Sequence, residues 1–284
     1  MPELPEVETV RRGLADVVGS FAISTVEVLR DRAVAAPAGD VDGFCTTLAG
    51  CSFASWRRRG KYLISTLLRQ GEAAGALGVH LRMTGQFQIL RQGERQPCRH
   101  TRVRFLEANG QRELRFVDIR SFGEFWLVPR NTPSEAVISG LARLGPEPFD
   151  SSFTARYLKN KLRGRTRPIK SALLDQALVA GAGNIYADES LFMAGIRPTI
   201  RSGSLSLDQL EQLRQALVEV MSISIGKGGT TFSDFRDLTG TNGNYGGVAK
   251  VYRRGGEPCH DCGTPINRIV LSGRATHWCP QCQQ

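Results

Sequence analysis

Four cysteines near the end of the chain place the strictest limit on how it can fold. They form two Cys-x-x-Cys pairs, Cys259 with Cys262 and Cys279 with Cys282, with 16 residues between the pairs. This spacing is typical of a structural zinc site, in which four thiolates surround one Zn²⁺ tetrahedrally. Two redox dithiols or a pair of disulfides are the alternatives. The spacing predicts that residues 253–284 form a small zinc-binding ribbon or hairpin.

Other residues near this site or of the same type are predicted to play lesser parts. His260 and His277 lie beside the cysteines and are alternative ligands, but four thiolates already complete a tetrahedron. The remaining thiols, Cys45, Cys51 and Cys98, are scattered through segments typical of a core or of strands. We expect them to be reduced and buried, as in a protein of a reducing cytosol.

The hydrophobic pattern of the rest of the chain changes near residue 150. Residues 21–130 contain short alternating runs separated by Gly- and Arg-rich turns, which predict an antiparallel sandwich rather than a βαβ sheet. Helical periodicity follows, in residues 153–162, 169–179, 186–193 and 206–225. The fold class is therefore α+β with two domains: an N-terminal antiparallel β-sandwich with flanking helices, and a C-terminal helical domain that carries the zinc hairpin.

Domain boundaries follow from the same pattern. We expect a β-sandwich domain at 1–131, a linker at 132–149, a helical domain at 150–252 and the zinc unit at 253–284. The stretch 226–247 is rich in Gly, Thr and Asn and is expected to be a mobile loop within the helical domain.

The charge of the chain indicates a polyanionic partner. The net charge is +10, and the basic residues cluster at 57–61 and again at 156–170, where seven of them occur without an acid. Such clusters repel unless an anion lies beside them, so nucleic acid is the first candidate. No apolar run approaches the length of a membrane span, and the start lacks the pattern of a signal peptide. We therefore expect a cytoplasmic protein that needs no membrane.

The start of the chain carries a candidate nucleophile. Removal of Met1 would leave Pro2 as a free secondary amine, followed at once by the carboxylates of Glu3 and Glu6. An α-amino group has an ordinary pKa near 7.7–8.0, so a fraction is unprotonated at neutral pH and can form a Schiff base with a sugar carbon. A secondary amine gives an iminium, which is a good electron sink. The plainer interpretation is an acidic helix start that follows a pendant terminus.

Several loop residues are candidates for contacts with nucleic acid. Met83 and Phe122 are predicted to lie on turns between strands, where apolar side chains can enter a duplex and replace an extruded base. The alternative is that both belong to the core. Lys61 follows a glycine turn, and Asn184 follows Gly181-x-Gly183 at a helix start, where it can cap the helix or bind phosphate. Arg274 lies between the cysteine pairs and can reach a groove or a phosphate from a rigid hairpin tip.

Six stretches together resemble the bacterial formamidopyrimidine-DNA glycosylase family. They are MPELPEVETVRRGL at 1–14, RGKYL at 59–63, HLRMTG at 80–85, LLDQ at 173–176, GNIYADE at 183–189 and the cysteine pairs. They occur in the family's order and span essentially the whole chain. The sister family, endonuclease VIII, usually begins Pro-Glu-Gly-Pro, so Leu4 favours the first family. Two places depart from its pattern: Ala275, where serine is common, and residues 242–245.

The resemblance implies roles for the N-terminal residues. Pro2 is the nucleophile that attacks C1′ of the damaged nucleoside, and Glu3 is the acid/base partner that handles the sugar and elimination protons. Glu6 supports this site structurally. Lys61 matches the family's catalytic-site lysine, which binds the phosphates of the lesion, and His80 is assigned to DNA contact.

The resemblance also implies which residues grip the duplex. Met83, Arg120 and Phe122 match the triad that fills the space of the flipped base and probes the orphaned cytosine. Asn184 belongs to a helix–two-turn–helix element and holds phosphate, and Arg274 matches the finger arginine that grips phosphates beside the lesion. The loop around 228–247 would cover the extruded base, with residues 230–235 offering backbone N–H groups to a purine oxygen.

The activity implied is that of a bifunctional DNA glycosylase and AP lyase of base excision repair, acting on 8-oxoguanine and formamidopyrimidines in duplex DNA. Cleavage would proceed by β,δ-elimination through the Pro2 Schiff base, with one structural Zn²⁺ as the only cofactor. The expected partner is damaged double-stranded DNA, the expected location the bacterial cytosol and nucleoid, and a monomer suffices. The alternatives are an endonuclease VIII-like enzyme for oxidised pyrimidines, a non-catalytic binder of damaged DNA, and a zinc ribbon associated with RNA.

Overall fold

The structure of the protein is a computed structural model that describes residues 2–18, 21–231 and 236–284. Residues 232–235, part of the expected lesion-covering stretch, lie outside the described residues. The chain divides into two compact units, one of residues 1–142 with 228–243 and one of residues 143–227 with 244–284. Among the described helices, none is long and apolar enough to cross a membrane.

The first unit is built on two sheets. Its elements are α1 (Leu4–Val18), β1 (Ile23–Val28), β2 (Val34–Ala36), α2 (Val41–Leu48), β3 (Ser52–Arg59), β4 (Tyr62–Arg69), β5 (Glu72–His80), β6 (Gly85–Arg91), β7 (Thr101–Glu107), β8 (Arg112–Asp118), β9 (Glu124–Val128), α3 (Ser134–Val137) and α4 (Ser139–Ala142). One sheet has the order β1-β7-β8-β6 and the other β2-β9-β5-β4-β3. Pairing is antiparallel except between β2 and β9. The predicted sandwich is confirmed.

Aromatic rings from both sheets form the centre of this unit. Phe125 of β9 meets Phe116 of β8 edge to face, with ring centroids 4.9 Å apart, and Phe87 of β6 packs against both. Phe116 and Phe125 are fully buried. Edge-to-face pairs of this kind add to the free energy gained from burying their apolar area. The alternating apolar positions seen in the sequence therefore face one shared core.

Helix α2 was not predicted, and its signal is local. Asp40 caps it by accepting a hydrogen bond from the Gly43 N–H at 2.8 Å, and Phe44 and Leu48 bury one face of the helix completely. The expectation for the three scattered thiols was only partly right. Cys51 is buried and Cys45 is half-buried, but Cys98 is exposed.

The second unit is helical with one hairpin. It contains α5 (Ala155–Leu162), α6 (Ile169–Leu173), α7 (Asn184–Met193), α8 (Leu207–Gly226), β10 (Asn267–Leu271) and β11 (Arg274–Trp278). Ser206 and Gln209 form a reciprocal capping box at the start of α8. Helix α6 is shorter than the predicted 169–179. After it ends, the Asp175 side chain accepts the Ala177 N–H at 3.0 Å and so stabilises a turn instead.

Candidate active site and nucleic-acid interface

The start of α1 holds two carboxylates away from solvent. Glu3 is 2% and Glu6 1% exposed, and Pro2 beside them is also buried. Glu6 accepts the Glu3 N–H through Oε2 and the Thr230 N–H through Oε1, both at 2.8 Å. Glu6 therefore fixes the backbone that carries Glu3 and joins it to the 228–243 segment within the same unit. The site therefore combines a buried N-terminal residue with two buried carboxyl groups.

Helix α1 is tied to strand β3 by a group of charges around Glu8. This carboxylate lies 2.9 Å from Arg11, 3.0 Å from Arg12 and 3.2 Å from Arg58 of β3. Burial raises the pKa of Glu8, but the hydrogen bonds from Arg11 and Arg12 and the charge of Arg58 outweigh it and bring the pKa below its ordinary value. The first helix is thus fastened to the hairpin that carries Lys61.

Lys61 and His80 lie at the same end of the five-stranded sheet. Gly60 and Lys61 form the two-residue turn between β3 and β4, and Gly60 has the positive φ of 55° that such a turn requires. Lys61 is only 7% exposed. Tyr62 is the cross-strand partner of His80, with their rings 4.6 Å apart. The sequence placed Lys61 on a glycine turn, and the structure has it there.

His80 is a neutral group in this environment. Its Nδ1 accepts the Arg82 N–H at 2.9 Å, so the ring proton resides on Nε2. Burial lowers the pKa of His80 to about 3, and the charges of Arg82 and Lys61 act in the same direction. At neutral pH the side chain can therefore donate one hydrogen bond but carries no positive charge.

This burial predicts an acid-sensitive contribution to stability. Unfolded His80 has a pKa near 6.5, whereas the folded value is about 3. As the pH falls below 6.5, His80 becomes protonated in the unfolded state but stays neutral in the folded state. The free energy of unfolding therefore decreases by up to about 1.4 kcal/mol per pH unit. We expect the melting temperature of the native protein to fall more steeply between pH 7 and 4 than that of His80→Asn. Parallel melting curves for the two proteins would contradict this.

Met83, Arg120 and Phe122 are brought together on neighbouring loops. Met83 lies in the β5–β6 loop and is half-buried, whereas Arg120 and Phe122 lie in the β8–β9 loop and are exposed. Gly85 of β6 is the cross-strand partner of Asp118 of β8, so the loops next to these two residues meet at one edge of the sheet. The Arg120 guanidinium lies 5.0 Å from the centroid of the Phe122 ring. Phe122 is thus a presented side chain rather than a core residue.

Asn184 and Arg274 are joined through the backbone of the zinc hairpin in the second unit. Of the two roles offered for Asn184, the structure does not show helix capping: Gly183 is the N-cap residue of α7, and Asn184 Nδ2 donates to the Ala275 carbonyl at 2.9 Å. Arg274, the residue before, is exposed at the start of β11, just after the two-residue turn Ser272-Gly273. Ala275 contributes its carbonyl oxygen to this contact, which alanine provides as well as serine.

A buried ion network that the sequence did not reveal lies beneath this contact. Lys170 is 1% exposed, and its Nζ lies 2.7 Å from Asp188 and 2.8 Å from the Ala275 carbonyl. Asp188 also accepts the His277 N–H at 3.0 Å and faces its Nδ1 at 3.1 Å. His277 is therefore engaged by Asp188. A signal for this burial was present, because Lys170 falls inside the apolar period of α6.

The basic cluster at 156–170 is thus only partly available to an anion. Lys170 pairs with Asp188, and Arg167 lies 2.9 Å from Asp175. For these two residues the neighbouring anion is therefore a carboxylate from elsewhere in the chain. Glu189, also missed, accepts the N–H groups of residues 250, 251 and 252 at 2.8–2.9 Å. Burial, together with the charge of Asp188, raises its pKa against the effect of those three donors.

The four predicted cysteines meet at one point. Their Sγ atoms all lie within 4.8 Å of one another, with Cys262 and Cys279 at 3.4 Å and Cys259 and Cys282 at 3.9 Å. Thiolates around a tetrahedral zinc with bonds of about 2.3 Å stand about 3.8 Å apart. The donor set therefore fits one Zn²⁺ with no position left for a reacting group. Such an ion would hold the hairpin together and would take no part in a reaction.

Loss of one thiolate is expected to release the metal and unfold the hairpin. Structural zinc contributes its binding free energy to folding, so Cys279→Ser should hold well under one equivalent of zinc and lose the hairpin's protection from proteolysis. Zinc content by mass spectrometry and limited proteolysis measure both effects. Cys98→Ser, at an exposed thiol outside the cluster, should keep one equivalent. Full zinc retention in Cys279→Ser would contradict the assignment.

Comparison with known families matches three successive parts of the chain. Residues 1–125 match the profile of the formamidopyrimidine-DNA glycosylase N-terminal domain, and residues 144–236 that of the formamidopyrimidine-DNA glycosylase H2TH domain. Residues 256–284 match a zinc finger found in FPG and IleRS. The three matches follow the order of the two sheets, the helices and the cysteine cluster.

Whole-chain relatives agree with these matches. The chain is 63% identical to the formamidopyrimidine-DNA glycosylase of Parasynechococcus marenigrum over 283 residues, covering 100% of both chains. It is 58% identical to that of a Synechococcus species, covering 100% of this chain and 99% of the relative. Among solved structures, Lactococcus lactis FPG in complex with DNA containing Fapy-dG superposes with a TM-score of 0.89 at 33% identity over 100% of both chains. MutM (FPG) of Thermus thermophilus gives 0.86 at 37% identity, covering 99% of this chain and 98% of that one.

Proposed function

The chain belongs to the formamidopyrimidine-DNA glycosylase family, and from this membership we propose how its own residues perform the family's reaction. It is a DNA glycosylase and AP lyase of base excision repair that acts on oxidised purines. Its four-cysteine finger binds one structural Zn²⁺. The observation that carries the mechanism is the placement of Pro2 beside the buried Glu3, whose backbone Glu6 holds in position.

The first step breaks the bond between the base and its sugar. After removal of Met1, the Pro2 nitrogen attacks C1′, the C1′–N9 bond breaks, and the base leaves with the bonding electrons and takes up a proton. Glu3 gives a proton to the ring oxygen, so the sugar opens and an iminium forms between Pro2 and C1′. The buried carboxyl group of Glu3, the residue that follows the amine in the chain, suits this proton transfer because little water competes for it.

The second step cleaves the strand. The iminium draws electrons from C2′, whose proton is lost to the Glu3 carboxylate, and the bond from C3′ to its phosphate oxygen breaks. Loss of a C4′ proton then expels the 5′ phosphate, and water releases the sugar fragment from Pro2. The successive losses of the 3′ and 5′ phosphates constitute a β,δ-elimination, in which no electrons enter or leave overall. The positive charge on nitrogen replaces any need for an external electron acceptor.

DNA contacts in the first unit are assigned to five residues. Lys61 supplies a positive charge to the phosphates at the reacting sugar, and His80, being neutral, supplies an Nε2–H donor to them. Met83, Arg120 and Phe122 fill the space of the extruded base and contact its former partner. Extrusion costs a few kcal/mol, which such contacts offset. The half-buried Met83 and the exposed Phe122 beside Arg120 support this role.

In the second unit, Asn184 and Arg274 are assigned to phosphate binding. Arg274 carries an exposed guanidinium on a hairpin fixed by its zinc site, and Asn184 holds the adjacent carbonyl. We propose working divisions at 1–131 for catalysis, 150–252 for the helix–two-turn–helix part and 253–284 for the finger, with residues 228–243 of the second division belonging to the first compact unit. The relatives are bacterial, and we place the protein in the cytosol at the nucleoid, acting as a monomer.

Borohydride trapping on a panel of duplexes tests this function. We expect a covalent protein–DNA band with 8-oxoguanine or a formamidopyrimidine opposite cytosine, and no band with undamaged DNA. A band only on oxidised-pyrimidine DNA would favour the endonuclease VIII-like alternative. Weaker bands on that DNA would not, since Lactococcus lactis FPG has been crystallised with it. Binding without any band would leave a damage-binding protein and overturn the enzymatic function.

A further inference from the structure

The carboxylate of Asp118 is the buried centre of the loop that carries Arg120 and Phe122. Asp118 ends β8 and is fully buried. Its Oδ2 accepts the Phe122 N–H at 2.8 Å and the Gly123 N–H at 2.7 Å, and its Oδ1 accepts the Arg120 N–H at 3.1 Å. A single charged group therefore fixes the backbone of the whole β8–β9 loop, because hydrogen bonds to a carboxylate are the stronger kind.

The Thr84 hydroxyl joins this loop to the one that carries Met83. It donates to Asp118 Oδ1 and accepts the Arg120 N–H at 3.0 Å. Thr84 is 8% exposed and is the direct neighbour of Met83. The three side chains that are proposed to replace the extruded nucleobase are thus supported by one hydrogen-bond network, although they come from two loops far apart in sequence.

The packing beneath both loops leaves little room for either to shift. The Phe116 ring lies against Gly85 and Gly123, where an added Cβ would stand 2.5 Å and 2.4 Å from its Cζ atom. Both glycines are therefore needed for the ring to reach between the loops. Because the backbone of both loops is held in this way before any ligand arrives, less conformational entropy is lost on binding.

We propose that Asp118 and Thr84 are positioning residues that hold Met83, Arg120 and Phe122 in the arrangement that replaces an extruded base. This inference rests on the proposed function of those three side chains. Neither Asp118 nor Thr84 touches the reacting sugar; they act through the loops. Their contribution belongs to the extrusion of a base from a duplex and to discrimination of the opposite base, and the chemistry at Pro2 does not depend on them.

The test compares a reaction that needs extrusion with one that does not. Thr84→Val keeps the volume of the side chain but removes the hydroxyl, and Asp118→Asn places an amide where N–H donors converge. We expect single-turnover release of 8-oxoguanine from a duplex to slow by roughly 10- to 100-fold, the effect of one or two hydrogen bonds to a charged group. Cleavage of a preformed abasic site in single-stranded DNA should stay within about twofold of the native rate, since no base is extruded.

Matched controls separate positioning from folding. Thr84→Ser retains the hydroxyl and should behave as the native protein in both reactions. The ratio of excision rates opposite cytosine and adenine should shrink in Thr84→Val, because the Arg120 backbone loses an acceptor. Equal losses in the two reactions, or no loss in either, would overturn the inference. Failure of the native protein to excise from any duplex would instead overturn the proposed function.

Discussion

Blocking the nitrogen of Pro2 is expected to abolish the covalent intermediate altogether. In a form whose N-terminus is extended and cannot be trimmed, that nitrogen is part of a tertiary amide and has no basic lone pair. We expect borohydride trapping to disappear and base release to fall by about 10³-fold or more, as when a covalent nucleophile is removed. Binding of lesion DNA should remain, since the extension leaves Lys61, Arg120 and Arg274 in place.

Two comparisons make this result specific. Pro2→Gly keeps a free N-terminal amine, but this amine is primary, and its imine lacks the fixed positive charge of the iminium that proline forms. A weak band should therefore persist where the extended form gives none. Mass spectrometry of the N-terminus confirms which form is present. If the extended form still forms a full band, another amine is the nucleophile, and Lys61 is then the first to test, because it lies in the same unit and is 7% exposed. Lys61→Met in the extended background would decide between them.

Much of the fold could be predicted from the sequence because the relevant signals are local. Alternating strands report one buried face each, and the predicted sandwich results from their pairing. The cysteine spacing similarly reports a tetrahedral site. Helix α2 was missed because its signal is a single cap at Asp40 and a short apolar face. Helix α6 was predicted too long because Asp175 diverts the backbone into a turn, and periodicity alone cannot reveal that competition.

The site shows the same division between local and long-range signals. Exposed side chains such as those of Phe122 and Arg274 could be proposed from the sequence because their motifs are contiguous. The residues that support these loops were missed because their partners are distant: Thr84 lies 34 positions from Asp118, and Lys170 lies 105 from Ala275. A single sequence gives no sign that these positions meet. Lys170 is even one of the seven basic residues whose clustering indicates a polyanionic partner, although it is almost completely buried.

Removing the Lys170 ammonium is expected to be among the most damaging changes outside the chemistry. In Lys170→Met the Asp188 carboxylate would remain buried without its cation, and breaking one side of such a pair costs about 3–5 kcal/mol. The Ala275 carbonyl would lose one donor and keep the Asn184 amide, and Thr276 of the strand that carries Arg274 would lose its hydrogen bond from Lys170. We expect a lower melting temperature, weaker DNA binding and a shallower dependence of binding on salt.

Matched changes show whether the pairing itself is responsible. Lys161→Met removes an exposed lysine of α5, so it should leave the melting temperature nearly unchanged. The slope of the logarithm of the binding constant against the logarithm of salt concentration should fall by at most about one, the effect of losing one phosphate contact. Adding Asp188→Asn to Lys170→Met removes the stranded charge and should recover part of the stability, while Arg274 remains poorly held. Equal melting temperatures for the native protein and Lys170→Met would mean that the buried pair contributes nothing. A stability loss with unchanged salt dependence would mean that the network supports the fold without positioning Arg274.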